Sequence, residues 1–304
     1  MKPMRVIFLG TSAAVPTVDR NPSSIIVDLG REYILLDAGE GTQKQIIRSG
    51  IGFGRLSRIF ISHLHGDHYY GVFPLLQTLS ILKRRKSLEI YAPQGFHNIL
   101  SAIVEAAPME SPFEVRVFEI KEKVSFRLKG YTVTMFPVVH GNIPTYGIAV
   151  REDDKPGKFD PQKSDELGVP LELRGLLQKG IPIKLPNGRV VHPQDVMGPP
   201  RRGKLLVYSS DTRPCRSLIE EGREADLLIH EATYADDLKE RAEQAGHSTI
   251  SEAIEVARAC KAKALVLTHF SARYKEEDLA RLEAEAKRMF NPLVFAKDLM
   301  IYEL

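Results

Sequence analysis

The chain of 304 residues has no tryptophan and only two cysteines, Cys215 and Cys260, which lie far apart and outside any C-x-x-C spacing. Their scarcity argues against a disulfide framework and against a thiolate zinc site, and it fits a reducing, cytoplasmic setting. Long apolar runs are also missing. The longest, at 5–9 and 264–267, fall far below the roughly 18 residues that a membrane helix needs, so no membrane association is expected. The short apolar stretch VIFLG near the N-terminus ends at a glycine with no cleavage motif behind it, and secretion is not expected. Charge of one sign is scarce too. Lys and Arg number 42 against 39 Asp and Glu, a net charge of +3, so any polyanionic partner must be met by local clusters rather than by global excess. What remains is an ordinary globular composition, 43% apolar and 27% charged, with enough apolar residue for a substantial core.

Short β-branched and aliphatic runs at 4–9, 24–29, 33–36, 58–62, 88–92, 131–139, 146–150, 205–209, 227–229 and 264–268 read as strands. Helical periodicity appears at 69–83, 94–106, 248–260 and 275–290, the third with Ser248 as its N-cap. Early strands at hairpin spacing, a second set after the middle and helices between them predict two sheets packed face to face under helices. The stretch 151–203 departs from this pattern. It holds 8 of the 19 prolines, 7 of the 22 glycines and 18 charged residues. It reads as an inserted, projecting arm or long loop within a single domain spanning 1–304.

The chemistry concentrates at 62–68, SHLHGDH. His63, His65, Asp67 and His68 follow the apolar run RIFI, so they fan from a tight loop at the carboxyl end of a strand. Imidazole and carboxylate are ligands that zinc accepts, and this spacing lets one loop serve two adjacent ions. Three further residues of ligand type sit at predicted strand ends: His140 after TVTMFPVV, Asp211 after KLLVYSS and His269 after ALVLT. Loops of a layered α/β fold converge there, and these three complete a two-metal set. Asp37 after YILL reads either as an orienting partner of a ligand or as a turn cap. His97 and His192 match no motif.

SHLHGDH resembles the signature of the metallo-β-lactamase superfamily. FLGTSAAVPTVDRNPSS, LLDAGEGTQKQI, HGNIPTYG, SSDTRP, HEAT, GHST and LTHFSARY, spread over nearly the whole chain, resemble the ribonuclease Z family within it. The resemblance implies a four-layer αβ/βα sandwich with an inserted flexible arm and a tRNA 3′ endonuclease active on precursor tRNA. It implies two zinc ions per subunit, His63, His65 and His140 on one, Asp67, His68 and His269 on the other, with Asp211 bridging. Asp67 is then the proton acceptor for the attacking water, His247 of GHST the candidate proton donor and Glu231 of HEAT its orienter. A buried polar pair, His230 with Glu231, is the plainer reading of HEAT. The resemblance also implies a homodimer in which the arm of one subunit, with landmarks GKFDP, LGVP and LLQKG and the cations Lys155, Lys158, Lys163, Arg174 and Lys179, clamps RNA for the other. LELRG departs from the family pattern in that arm. The basic run 83–86 reads as a solvated helix end. The alternatives are a phosphodiesterase of the same superfamily acting on a small cyclic nucleotide or ester, a non-catalytic RNA-binding subunit, and an iron redox protein using the same ligands.

Overall fold

In the computed structural model, which describes residues 3–107 and 112–304, two seven-stranded sheets form the frame. The first runs in the order Ile301–Glu303, Arg5–Gly10, Ser24–Asp28, Tyr33–Ala38, Leu56–Phe60, Leu88–Pro93, Val115–Ile120. The second runs Leu293–Phe295, Leu265–Thr268, Leu227–Glu231, Leu205–Tyr208, Ile143–Glu152, Tyr131–His140, Val124–Leu128. Each sheet mixes hairpin-connected strands with parallel ones, the latter joined by helical crossovers.

The strand sequences show why both faces are covered. All six residues of Tyr33–Ala38 are buried, as a strand packed on two sides requires. Ile7, Leu35, Ile59 and Ile90 meet Val72, Leu75, Leu79 and Phe96 from the helices Val72–Ile81 and Phe96–Ala106. In the second sheet Val207, Leu228 and Leu265 meet Ile254, Ala257 and Ala286 from Ile250–Cys260 and Glu276–Met289. Between the sheets, the Tyr91 ring of the first lies 4.1 Å from Phe126 of the second. The order is helices, sheet, sheet, helices: the α/β, four-layer αβ/βα metallo-β-lactamase sandwich.

Three local expectations need correction. The helix read at 69–83 is two pieces, Gly66–Tyr69 and Val72–Ile81. Gly71 separates them because its N–H donates across to Ala38 O at 2.8 Å, and a Cβ there would stand 1.9 Å from Gly39 O. The N-cap of Ile250–Cys260 is Thr249, in a capping box with Glu252. Ser248 instead donates its hydroxyl to Thr212 O. Strands Val115–Ile120 and Val124–Leu128 were not read from the sequence because charged residues alternate with their apolar ones, although that period of two is itself a strand signal.

The stretch 151–203 reads from the sequence as an inserted, projecting arm or a long loop. The chain divides into two compact units, one of residues 1–128, 132–150 and 205–304, the other of 129–131 and 151–204. The second is not a long loop. It contains the helices Pro161–Glu166, Leu171–Gln178 and Pro193–Val196, with LELRG inside the middle one, and a core of its own from Val169, Leu177, Ile183, Leu185, Val191 and Val196. Arg174 is tied to Asp165 and to Val169 O, whereas Lys158, Lys163 and Lys179 stay exposed.

Candidate metal centre

The parallel register of the second sheet brings Asp211, Glu231 and His269 side by side: Tyr208 pairs with Ile229, and Glu231 with Thr268. His140 ends its own strand, and the loop after Leu56–Phe60 supplies His63, His65, Asp67 and His68. The seven expected ligands thus converge. Ligand atoms of His63, His65, His140 and Asp211 lie within 4.8 Å of one another, as do those of Asp67, His68 and His269. Asp211 links the groups, with Oδ2 at 3.6 Å from His63 Nε2 and 3.3 Å from His68 Nε2, and Oδ1 at 3.4 Å from His269 Nε2.

A proton inventory shows what the cluster accepts. Asp37 Oδ2 takes the Ser62 hydroxyl proton, so Ser62 Oγ accepts from His63 Nδ1 at 3.0 Å. His68 Nδ1 donates directly to Asp37 at 2.7 Å, and His140 Nδ1 to Gly246 O at 2.9 Å. Thr233 gives its proton to Glu231, so its hydroxyl accepts from His269 Nδ1 at 2.8 Å. When neutral, each of these four rings therefore presents a bare Nε2 inward. His63 Nε2 and His140 Nε2 lie 3.0 and 3.3 Å from His65 Nδ1, and His68 Nε2 lies 3.3 Å from His269 Nε2. The lone pairs of His68 and His269, facing at that distance, repel unless an electropositive atom lies between them, whereas His65 Nδ1 can donate to His63 Nε2. Asp211 Oδ1 is buried with no hydrogen-bond partner among the described residues. The donor set therefore fits metal ions. Burial alone would push the Asp67 and Asp211 carboxyls up, but positive charge at the neighbouring imidazole positions holds both well below the usual range, so both stay ionised beside a cation.

The backbone is bent to make this arrangement. Asp37, Ser210, His269 and Ala14 all adopt left-handed φ, between 56° and 62°, conformations that cost L-residues energy and gather at functional sites. Gly246 is also left-handed, and a Cβ on it would stand 3.1 Å from His140 Nδ1. At the rim, the Ala14 N–H donates to Asp67 Oδ2 at 2.8 Å. That N-terminal loop is anchored by Asp298, which accepts from Thr11 Oγ1, from Asn21 N and Nδ2, and from Gln45 Nε2.

His247 Nδ1 donates to Glu231 Oε1 at 2.8 Å. Burial pulls His247 down, the Glu231 carboxylate outweighs it, and the imidazole is pushed up to about 9. Glu231 also accepts from Thr212 N, Thr233 N and Ser248 N, so it knits three loops together as well as holding His247. His230 takes no part: its Nδ1 donates to Glu231 O, and its Nε2 is buried without a partner among the described residues. His97 is exposed and His192 caps a short helix, and neither belongs to a ligand group. Sequence reasoning missed Tyr208, Thr233, Asp298 and Tyr70. Tyr208 donates to Asp37 Oδ2 at 2.9 Å from 171 positions away. A cavity of about 560 Å³ opens over the ligands, lined by Asp67, Asp211, His247 and His269 and by Tyr70 and Tyr234.

A family profile described as a beta-lactamase superfamily domain matches residues 32–172 and 182–270. The chain is 40% identical to the ribonuclease Z of Methanosarcina mazei, covering 99% of this chain and 98% of that protein. It is 42% identical to that of Haloferax volcanii, over 97% and 93%. Among solved structures, the short form of human tRNase Z superposes with a TM-score of 0.70 at 28% identity, over 99% of each chain. No helix among the described residues is long and apolar enough to cross a membrane.

Proposed function

The chain belongs to the ribonuclease Z family of the beta-lactamase superfamily, and on that premise we infer that it is a metal-dependent endonuclease that cuts the 3′ trailer from precursor tRNA, leaving a 3′-hydroxyl on the tRNA. The observation that carries this reading is the pair of ligand groups sharing Asp211, with the His247–Glu231 pair opening into the same cavity. We assign the metal as zinc, two ions per subunit. His63, His65 and His140 would hold one, Asp67, His68 and His269 the other, and Asp211 both. Bound there, the metal pair supplies Lewis acidity toward the phosphodiester and acidifies an attacking water.

The remaining steps belong to the chain itself. Asp67 accepts the proton of the water that attacks phosphorus, and the Ala14 N–H steadies the accepting oxygen. The bond from phosphorus to the ribose 3′ oxygen breaks, and His247 donates its proton to that departing oxygen. Glu231 keeps His247 oriented and protonated until then. Lys158, Lys163 and Lys179 of the second unit offer exposed charge for the phosphates of the tRNA body. We propose a homodimer in the cytoplasm, consistent with exposed Ile47, Ile81 and Leu82 on the first unit.

The test is direct. Purified protein loaded with zinc is incubated with a 3′-extended tRNA precursor and the ends are mapped. One cut near the tRNA 3′ end, lost on chelation and restored by zinc, is expected. An intact precursor beside rapid hydrolysis of a cyclic nucleotide would replace this reading with that of a small-substrate phosphodiesterase.

A further inference from the structure

Tyr70 is an exception in the metal-binding loop. An aromatic ring beside a buried ligand cluster would ordinarily be packed, yet Tyr70 is 56% exposed and lines the cavity over the ligands. It follows the Gly66–Tyr69 turn, one helical turn beyond Asp67, so the two share a face. The ring is not loose. It lies over Gly66, where even a single Cβ would come within 2.3 Å of it, and the Tyr69 ring meets it edge-on at 4.8 Å. Gly66 and Tyr69 thus fix the ring without covering it. Part of the remaining lining is apolar, Ala13, Ala14, Pro16 and Val15, the last 53% exposed, and the polar lining residues away from the ligand cluster are Glu40, Tyr234 and Ser271.

We propose that Tyr70 is a stacking platform for the base of one nucleotide flanking the scissile phosphate, and that it positions the phosphate while remaining indifferent to base identity. This rests on the endonuclease reading above. A nucleobase fits this surface better than a protein side chain does, because the ring lines the same cavity as the ligands, where a phosphodiester is to be cut. Every base has a π-face, so a bare aromatic platform takes each of the four. Such tolerance suits an enzyme that meets many precursors whose nucleotides differ at the cut.

The experiment uses the zinc-loaded protein and one precursor in three forms: intact, or with an abasic ribose at either of the two nucleotides flanking the mapped cut. Tyr70→Ala is expected to lower kcat/KM on the intact precursor by roughly 5- to 150-fold, the range for loss of one base–aromatic stack. On one of the two abasic precursors the same substitution should cost less than about twofold, since the base it serves is already gone. Tyr70→Phe should retain activity, and Tyr70→Leu should not. Equal losses on all three precursors would overturn the proposal, as would Leu serving as well as Phe. So would a Tyr70→Ala protein whose zinc content or sedimentation differs from the parent, because the ring would then serve the metal loop or a protein interface. If the parent protein leaves the intact precursor uncut, the endonuclease reading fails first, and the two failures stay distinct.

Discussion

The two ligand groups differ by one side chain, three imidazoles against a carboxylate and two imidazoles, and differ further in what stands behind them. In the group of Asp67, His68 and His269, His68 leans directly on the Asp37 carboxylate, and His269 leans on a Thr233 hydroxyl that is itself held by Glu231. In the group of His63, His65 and His140, the supports are a serine hydroxyl and a backbone carbonyl. His65 has no hydrogen bond beyond the cluster among the described residues, and its ring is the least buried of the three. A carboxylate behind an imidazole makes the inward nitrogen a stronger donor than a neutral acceptor does. On the proposed assignment the Asp67 group is expected to bind more tightly, and the His65 group to empty first under a chelator.

Asp37 joins the two, since it also holds the Ser62 hydroxyl and amide. Replacing it tests the comparison most severely. Asp37→Ala strips His68 of its acceptor, frees Ser62 from its role toward His63 and leaves the buried Tyr208 hydroxyl unpaired. Zinc affinity should fall by about 10- to 100-fold in each group, and each orphaned buried donor should cost about 1–3 kcal/mol of stability. Ser62→Ala removes the acceptor of His63 but only one of the donors to Asp37, whose bonds to His68 and Tyr208 remain, so it should weaken one ion far more than the other. Zinc content after graded chelation, read beside thermal unfolding, checks both. Equal loss of both ions from the Ser62 variant would erase the distinction between the groups.

The next effect separates chemistry from metal holding. Asp67 is the one carboxylate belonging to the better-supported group alone, and its Oδ2 receives the Ala14 N–H. Asp67→Asn keeps the shape and leaves His68, His269 and Asp211 in place, but it removes the proposed proton acceptor. With zinc retained, kcat on the precursor should fall by at least about 10²-fold. Near-normal turnover would take Asp67 out of the reaction.

The contrast between the groups also marks the limit of the sequence as a guide. His63, His65, Asp67 and His68 were legible because one loop carries them. His140, Asp211 and His269 were legible because each follows an apolar run that ends in a strand. Their supports were not, since a hydrogen bond between Tyr208 and Asp37, or between Asn21 and Asp298 across 277 positions, leaves no local trace. Asp37 looked equally like a turn cap, and only Ser62, His68 and Tyr208 around it decide between the readings. The stretch read as an inserted arm or long loop hid its helices because they are short and rich in proline and charge. Leu177, Ile183 and Val196, which close its core, are too scattered along the chain to form a period.

The smallest expected effect concerns the strained backbone beneath both groups. Asp37, His269 and Ser210 share a left-handed φ, but the first two carry side chains bonded within the centre, whereas the Ser210 hydroxyl is buried with no hydrogen-bond partner among the described residues. Ser210 thus bears the cost of the conformation, on the order of 1–2 kcal/mol for an L-residue, without a bond to set against it. Glycine adopts this φ freely but loses more chain entropy on folding, on the order of 0.5–1 kcal/mol. The balance favours Ser210→Gly by about 0.5 kcal/mol, a rise in Tm of about 1–2 °C for a chain of this size. Zinc content and kcat should stay at parental values, because the Asp211 backbone already sits where glycine would place it. A fall in Tm would mean that the hydroxyl or its methylene fills a space the bend needs. A fall in zinc content would show instead that the strain at Ser210 helps to aim Asp211 at both groups, and the support behind the ligands would then extend from hydrogen bonds to the backbone itself.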